Sequence, residues 1–296
     1  MKAEIQELLT ALEAEGYVAE PATATAVFLS REMRKPLLVE GDAGVGKTEL
    51  AKVLARLLGT ELIRLQCYEG LDVQTALYEW DYPRQLLRLR LSEGRGEDPR
   101  QVEARIFSRE YLLERPLLRA ITRPDRSPVL LVDEVDRADD GFEAFLLELL
   151  SDFQVTIPEL GTIRSDHPPY VVLTSNRTRE LGDALRRRCL YLYMEHPSLE
   201  KEVRIIKTRW PEVRERLARE VGRFLQALRS RSLVKSPGVA ETLDWTQALV
   251  TLRQGSLEPD VVTQTLGCLL KDRHDLEALT PSDVASLVAL AREESP

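Results

Sequence analysis

Cysteine, histidine and tryptophan are scarce in this sequence, with three of each among 296 residues. The cysteines and histidines lie far apart in the chain, at Cys67, Cys189, Cys268, His167, His196 and His274. Their spacing matches neither a zinc site nor a disulfide framework, so both kinds of scaffold are excluded. We therefore expect reduced, mostly buried thiols and histidines with structural roles.

Long apolar runs and an excess of positive charge are also lacking. No run approaches the roughly 20 apolar residues that span a bilayer, and residues 1–15 have the pattern of an acidic amphipathic helix rather than a signal peptide. We expect a cytoplasmic protein with no membrane partner. The net charge of -8 argues against nucleic acid as a partner of the whole chain. Basic segments at 84–90 and 115–126 still allow a local contact with nucleic acid.

The most specific motif is GDAGVGKT, residues 41–48, between a predicted strand and a predicted helix. Its form, G-x-x-x-x-G-K-[ST], is that of a phosphate-binding loop (P-loop). Glycines let successive amides converge on an anion, and the next helix adds its positive end. The lysine serves the outer phosphates, and the hydroxyl of Thr48 binds Mg²⁺. The predicted triphosphate-binding residues are Gly41, Asp42, Ala43, Gly44, Val45, Gly46, Lys47, Thr48 and Glu49.

A second motif, PVLLVDEVDRADD, places Asp133 and Glu134 directly after a buried strand. Ligands of open α/β sheets bind at the carboxyl ends of strands. We expect Asp133 to hold Mg²⁺ together with Thr48. Because side chains alternate along a strand, Glu134 points differently and is the predicted base that activates a water molecule.

Two further segments carry candidate catalytic residues. Asn176 follows the strand YVVLT, where its amide can contact the γ-phosphate or the attacking water. A cap on the next turn is an equally good interpretation. Arg186, Arg187 and Arg188 end a short helix, whose dipole favours cations there. The sharper interpretation is an arginine finger offered to a neighbouring subunit, with Arg187 and Arg188 as the candidates.

The wider pattern alternates strands with helices and then becomes helical. This predicts an α/β fold, a P-loop parallel sheet with helices on both faces, followed by a small all-α domain. We place the boundary near 196, giving a nucleotide-binding domain (1–196) and a helical domain (197–296). A hairpin is predicted at 154–165 and a long helix at 101–122, while residues 86–91 fit strand or helix. Helices of the second domain are predicted at 198–208, 212–230, 239–252, 260–270 and 281–292.

In this order the motifs resemble those of the AAA+ ATPases. Walker A is GDAGVGKT, Walker B is LLVDE (130–134), sensor 1 is Asn176, and the arginine-finger region is ALRRRC (184–189). The helical tail resembles the family's lid. The resemblance implies ATP and Mg²⁺ as cofactors, hydrolysis of ATP to ADP and phosphate, and a ring oligomer, with a hexamer as the family expectation.

The chain resembles the MoxR branch of that family more closely. The segment FQVTIPELGTIRSDHPPY resembles the branch's pre-sensor-1 insertion, and residues 78–100 stand where the branch carries an insertion in its second helix. The phrases RLQCYEGLDVQTALYEWDY and LTSNRTRELGDALRRRCLY resemble ATPases encoded beside molybdenum-containing carbon monoxide dehydrogenases. This implies a chaperone-like role in metalloenzyme maturation, with a metalloenzyme client and a partner bearing a von Willebrand factor A domain.

The lid departs from the pattern of many relatives at one position. Where a sensor-2 arginine is expected, the segment LVKSPGVAETLDW has Gly238. Either Lys235 or Arg231 takes over that role, or the role is lost.

The predicted function is therefore an ATP-dependent remodelling ATPase. An AAA+ nucleic-acid motor or a GTP-dependent restriction component is the alternative, because related branches share the hairpin insertion. A nucleotide-sensing binding module with little turnover is a third reading, which the intact Lys47, Thr48, Asp133 and Glu134 disfavour. Residues 176–179, NRTR, differ from the N-K-x-D motif of common GTPases, so ATP is favoured.

Overall fold

The computed structural model describes residues 2–93 and 97–293. Within these ranges the strands are β1 (Leu37–Gly41), β2 (Leu62–Gln66), β3 (Tyr78–Trp80), β4 (Leu112–Glu114), β5 (Val129–Asp133), β6 (Gln154–Ile157), β7 (Gly161–Arg164), β8 (Tyr170–Ser175) and β9 (Leu190–Met194). The α-helices are α1 (Lys2–Ala14), α2 (Pro21–Met33), α3 (Lys47–Leu57), α4 (Val73–Leu77), α5 (Tyr82–Glu93), α6 (Pro99–Ile106), α7 (Pro116–Ile121), α8 (Asp140–Asp152), α9 (Asp183–Arg188), α10 (Leu199–Arg209), α11 (Glu215–Arg229), α12 (Val239–Thr251), α13 (Pro259–Leu269), α14 (Arg273–Ala278) and α15 (Pro281–Arg292).

The chain divides into two compact units. The P-loop unit, as we call it, holds Met1–Pro21, Gly41–Glu49 and Tyr193–Pro296. The sheet unit holds Ala22–Glu40 and Leu50–Leu192. The P-loop is therefore grouped with the helical tail by its contacts, although it follows β1 in the chain. The functional domain boundary near 196 stays a prediction.

A five-stranded sheet with the order β2-β5-β8-β1-β9 organises the sheet unit. The pairs β1/β8, β2/β5 and β5/β8 are parallel. Every residue of β1 and of β5 is buried, as continuous apolar strands covered on both faces should be. The predicted α/β fold with a parallel sheet is thereby confirmed. Since the strands are parallel, the ends of β1, β5 and β8 share one edge, where Glu40 pairs with Ser175.

The hairpin predicted at 154–165 is confirmed as β6 and β7, which pair antiparallel. The long helix predicted at 101–122 is wrong. That segment contains α6, then a short strand β4 that pairs with β3, then α7. Proline at 116 begins α7 and cannot continue a preceding helix. The rings of Trp80 and Phe107 pack edge to face, with centroids 5.5 Å apart. These tertiary contacts override the local helical pattern.

Residues 86–91, left open between strand and helix, belong to the helix α5. Part of the segment at 78–100 that resembles the branch's insertion, residues 94–96, lies outside the described residues.

The helical tail packs around an aromatic pair, Phe224 of α11 and Trp245 of α12, whose ring centroids are 5.1 Å apart. Both side chains are fully buried. The predicted lid helices correspond to α10, α11, α12, α13 and α15, while the short α14 was not predicted. Among the described helices, none has the length and apolar character to cross a membrane.

Candidate functional site

The P-loop has the backbone conformation that its glycines permit. Gly41, Gly44 and Gly46 all have positive φ, at 154°, 78° and 98°. L-residues with a side chain rarely adopt such angles, so the glycine spacing is what lets this turn form. The helix α3 begins directly afterwards at Lys47, and its first-turn amides and positive dipole end face the loop. The loop therefore has the local structure of an anion cradle.

Lys47 is buried and folds back over its own loop. Its ammonium group donates hydrogen bonds to the carbonyl oxygens of Gly41 at 2.7 Å and Asp42 at 2.6 Å. On the other side of the loop, His196 Nε2 lies 3.4 Å from a carboxylate oxygen of Asp42. Burial lowers the pKa of His196 below its usual 6.5, and the nearby charge of Arg229 lowers it further. The imidazole is therefore neutral at pH 7, which avoids adding a charge beside Lys47.

The start of α12 is clasped to the P-loop through two glycines. The Val239 N–H donates to the carbonyl oxygen of Gly44 at 2.8 Å. A Cβ at Gly238 would lie 2.6 Å from Gly44 Cα and 2.8 Å from its carbonyl oxygen. The Glu241 carboxylate accepts from the Gly238 N–H at 2.9 Å and fixes this turn. We call this contact the glycine clasp. A side chain at position 238 would therefore not fit against Gly44.

The two substitutes considered for sensor 2 differ: Arg231 uses its guanidinium group elsewhere, whereas Lys235 is held through its backbone N–H. Arg231 pairs with Asp283 at 3.0 Å. The Lys235 N–H donates to the Asp275 carboxylate at 3.0 Å. Both contacts serve the packing of the helical tail.

In the sheet unit, Asp133 ends β5 and is nearly fully buried. One of its carboxylate oxygens accepts from Arg64 Nε at 3.1 Å and Nη2 at 2.6 Å. The other accepts from the hydroxyl of Thr174 at 2.5 Å. That hydroxyl also accepts from the Glu134 N–H at 2.9 Å. Thr174 thus ties β8 to both predicted acids, and Arg64 balances the charge of a buried carboxylate.

Glu134 adopts the left-handed conformation, with φ of 54° and ψ of 49°. This is uncommon for a residue with a side chain and is typical of functional positions. Its carboxylate is about one-third exposed and pairs with Arg137 Nη1 at 3.1 Å. Asp133 and Glu134 therefore have different partners, and Glu134 lies after the end of β5 rather than within the strand.

Asp136 joins the two loops that carry the candidate catalytic residues. This buried carboxylate accepts from the backbone N–H of Asn176 at 3.2 Å. It also accepts from the N–H and hydroxyl of Thr178, at 2.8 and 2.7 Å. Glu134 and Asn176 therefore line the same open cleft of about 650 Å³. The structure brings these two predicted residues together.

Arg187 and Arg188 lie away from that cleft. They end α9, immediately before β9, whose Leu190 N–H donates to the Pro36 carbonyl oxygen next to the start of β1. Arg188 Nε donates to the hydroxyl of Ser151 at 3.1 Å. These arginines therefore lie at the amino edge of the sheet, whereas Glu134 follows the carboxyl end of β5. One chain does not bring them together.

The three cysteines are free thiols, with Cys67 buried and the other two half-buried. The pKa of Cys67 is raised to about 12 by burial and by the adjacent carboxylates of Asp133 and Asp136. Burial likewise raises the pKa of Cys189 to about 12. Neither thiol can supply a thiolate nucleophile at neutral pH. Within the described residues, no group of three or more acidic, histidine or cysteine side chains is arranged to hold a metal ion by itself.

Four residues of the site were not identified from the sequence: Arg64, Asp136, Thr174 and Tyr17. Tyr17 packs at the P-loop, where its ring would lie 3.9 Å from a Cβ at Gly46. Burial and the charges of Glu49 and Glu20 raise its pKa. Asp136 follows the acids of Walker B, so its position offered a signal. Arg64 and Thr174 depend on which strands become neighbours, and Tyr17 depends on how the segment between α1 and α2 packs against the P-loop.

Comparison with known proteins places these features in a family. The profile of the AAA domain (dynein-related subfamily) matches residues 36–189, more than half of the chain. Among solved structures, a variant of RuvB from Thermotoga maritima is 18% identical, with a TM-score of 0.49 over 92% of this chain and 72% of that one. An ATPase candidate from Cytophaga hutchinsonii is 13% identical, with a TM-score of 0.49 over 98% of this chain and 94% of that one.

The residues present fit a magnesium–nucleotide complex. The glycine cradle, the buried Lys47 and the start of α3 suit the phosphates. Thr48 of the P-loop unit and Asp133 of the sheet unit each carry a side-chain oxygen of the kind that Mg²⁺ prefers. The matched range encloses all of these residues and extends to the arginines of α9. The chain belongs to the AAA domain family, in its dynein-related subfamily, and is an ATPase that uses ATP with Mg²⁺.

Proposed function

We propose that this ATPase is a remodelling enzyme of the MoxR type, which uses ATP hydrolysis to drive the assembly or cofactor maturation of a metalloenzyme client. It works as a ring, a hexamer by family expectation, with a partner that bears a von Willebrand factor A domain. The segments that resemble the ATPases encoded beside carbon monoxide dehydrogenases support the client class. The β6–β7 hairpin, inserted between Walker B and sensor 1, supports the branch. The cytoplasmic location stays a prediction.

The observation that carries this proposal is the placement of acids and arginines at opposite edges of one sheet. Glu134 and Asn176 line the cleft at the carboxyl edge, and Arg187 and Arg188 project from the amino edge. An arginine finger contributes a rate factor of about 10³–10⁵ to related hydrolases. If the finger must come from a neighbour, each hydrolysis event is sensed by two subunits. Such sharing is what a ring that remodels a client requires.

Within one subunit, the acids and Asn176 have separate tasks. Bound Mg²⁺ neutralises the developing charge on the phosphates, and Thr48 and Asp133 are its proposed ligands. Glu134 orients and deprotonates the attacking water, which requires its carboxylate to exchange Arg137 for that water. The Asp136 bridge holds Asn176 at the same cleft, where its amide contacts the γ-phosphate or the water.

The glycine clasp is the proposed relay between nucleotide and lid. Gly44 lies in the middle of the phosphate cradle, and its carbonyl oxygen is held by the first residue of α12. A change in the loop on binding or hydrolysis therefore reaches α12 through the backbone. This contact takes the place that a sensor-2 arginine has in relatives.

A trapping experiment in the native host tests the proposed function. Glu134→Gln keeps the size of the side chain but removes the base, so the ring should hold ATP and its client. Purification of the tagged variant with ATP, followed by identification of retained proteins, should yield a metalloenzyme or a von Willebrand factor A protein. Lys47→Ala, which should not bind ATP, is the matched control. Retention of DNA in place of these proteins would favour the nucleic-acid motor.

A further inference from the structure

A second cavity lies at the amino edge of the sheet, away from the acids. It has a volume of about 190 Å³ and is enclosed by the end of α2 and by the segments that lead into β1, β5 and β8. Asp133 and the cleft with Glu134 follow the opposite ends of these strands. The cavity is therefore separate from the catalytic acids of its own chain.

The charged groups around this cavity are mostly cationic. Arg31, Arg34 and Lys35 line it, and so do His167 and Asp166. Over residues 2–93 and 97–293, the Nε–H of Arg31 has no hydrogen-bond partner, and no ion pair joins Asp166 to Arg31, Arg34 or Lys35. Three cations and one carboxylate thus line the same small cavity.

Arg31 provides the most specific observation. Its Nε–H is fully buried, and no described atom accepts a hydrogen bond from it. Buried donors are almost always paired in folded proteins, because an unpaired one has lost its water without replacement. An acceptor brought by a ligand would remove this deficit. A guanidinium group is also well suited to two oxygens of one planar or tetrahedral anion.

The dipole of α2 accounts for only part of this cluster. Cations near the C-terminus of a helix are favourable by themselves. The last turn is, however, already capped, because the Lys35 N–H donates to the Ser30 carbonyl oxygen at 3.1 Å and the Ser30 hydroxyl donates to the Lys35 carbonyl oxygen at 2.7 Å. The dipole favours solvated cations and gives no reason to bury an Nε–H.

We propose that this cavity binds a small oxyanion, a phosphate or a carboxylate. The volume is below the roughly 300–1,000 Å³ typical of cofactor sites, so the ligand has the size of a phosphate group or a short dicarboxylate. Phe153, Pro169 and Val171 form an apolar wall that accommodates a short carbon chain. The site is distinct from the ATP site and does not depend on the identity of the client.

Isothermal titration calorimetry with two probes, inorganic phosphate and succinate, tests this site. The titrated full-length protein carries Lys47→Ala, so that the P-loop does not contribute anion binding, and the ionic strength is held constant. At least one probe should bind with a stoichiometry of one per chain. Adding Arg31→Gln should weaken that binding at least tenfold. Adding Arg209→Gln, at an exposed position of α10, should leave it unchanged.

Absence of binding by both probes, or equal affinity with and without Arg31→Gln, would overturn the proposal. Circular dichroism verifies that each variant is folded. If Arg31→Gln does not fold, Arg34→Gln, at an exposed position of the same cluster, replaces it with the same expected loss. Since the cavity is separate from the catalytic acids, Arg31→Gln alone should retain ATP turnover within twofold. If the trapping experiment retains no metalloenzyme client, the expected binding of phosphate or succinate to this cavity is unaffected.

Discussion

The substitution Gly238→Ala tests whether the glycine clasp couples the lid to the nucleotide. Gly238 has φ of -92° and ψ of -169°, an extended conformation that alanine adopts without strain. The new methyl group would instead meet Gly44, with its Cβ 2.6 Å from Cα, 2.8 Å from the carbonyl oxygen and 2.9 Å from the carbonyl carbon. These are backbone atoms, so the clash can be relieved only by separating α12 from the P-loop.

The expected cost combines two effects. Inserting one methyl group into a closely packed contact costs about 1–3 kcal/mol. Separation also removes the bond from Val239 N–H to the Gly44 carbonyl oxygen, worth about 0.5–1.5 kcal/mol net. The two effects together cost about 1.5–4.5 kcal/mol, and a value of about 2–3 kcal/mol near the middle of that range corresponds to an increase of about 30- to 150-fold in the Kd for ATP, if the clasp holds the loop in its binding conformation.

Titration of Mg²⁺ and a fluorescent ATP analogue into the purified variant measures this Kd, with thermal unfolding recorded in parallel. Gly255→Ala is the matched control, because a Cβ there meets only Arg214 Nη1, at 3.8 Å. Val239→Pro provides a second disruption, since proline is favoured at the first position of a helix and lacks the N–H. A Gly238→Ala protein that loses thermal stability but binds ATP within twofold of wild type would refute the coupling and leave a packing role alone.

Four further outcomes are expected. Glu134→Gln should bind ATP normally and lose turnover at least 100-fold, because only the base is removed; a steady-state phosphate assay that finds full activity would contradict this assignment. The double variant Arg187→Ala/Arg188→Ala should lose turnover at least 100-fold while each chain still binds ATP. If the finger acts between subunits, mixing this variant with Glu134→Gln should restore part of the turnover, because the Glu134→Gln subunits supply the arginines to neighbours that keep Glu134. Thr174→Val should raise the Mg²⁺ concentration needed for half-maximal ATP binding, since it leaves the Walker B aspartate without its hydroxyl donor; an unchanged requirement would show that the hydroxyl serves packing only. Because the pKa of His196 is lowered in the folded state, the unfolded state binds a proton more readily, and the free energy of unfolding should fall as the pH drops below 6.5. Denaturant titrations at pH 7.5 and 5.5 measure this fall, and His196→Gln should make it smaller.

Much of the fold followed from patterns that are local in the chain. Continuous apolar runs predict strands buried on both faces, and the runs at β1, β5 and β8 behave in this way. The conformation of the P-loop could likewise be predicted from the sequence, since its glycines, Lys47 and the start of the helix lie within one turn. The error at 101–122 arose where short elements depend on distant partners, as β4 does on β3. A single sequence contains little information about such pairings.

The sequence by itself determined which candidate chemical groups are present: the glycine-rich loop at Gly41–Thr48, the carboxylates of Asp133 and Glu134, and the amide of Asn176. These groups follow turns and strand ends, which are set by residues a few positions away. Tertiary structure alone decided how they are held. Sheet order places the hydroxyl of Thr174 on Asp133, and the packing of α12 places Gly238 against Gly44. Such contacts join residues far apart in the chain, so they exist only once the strands and helices have packed.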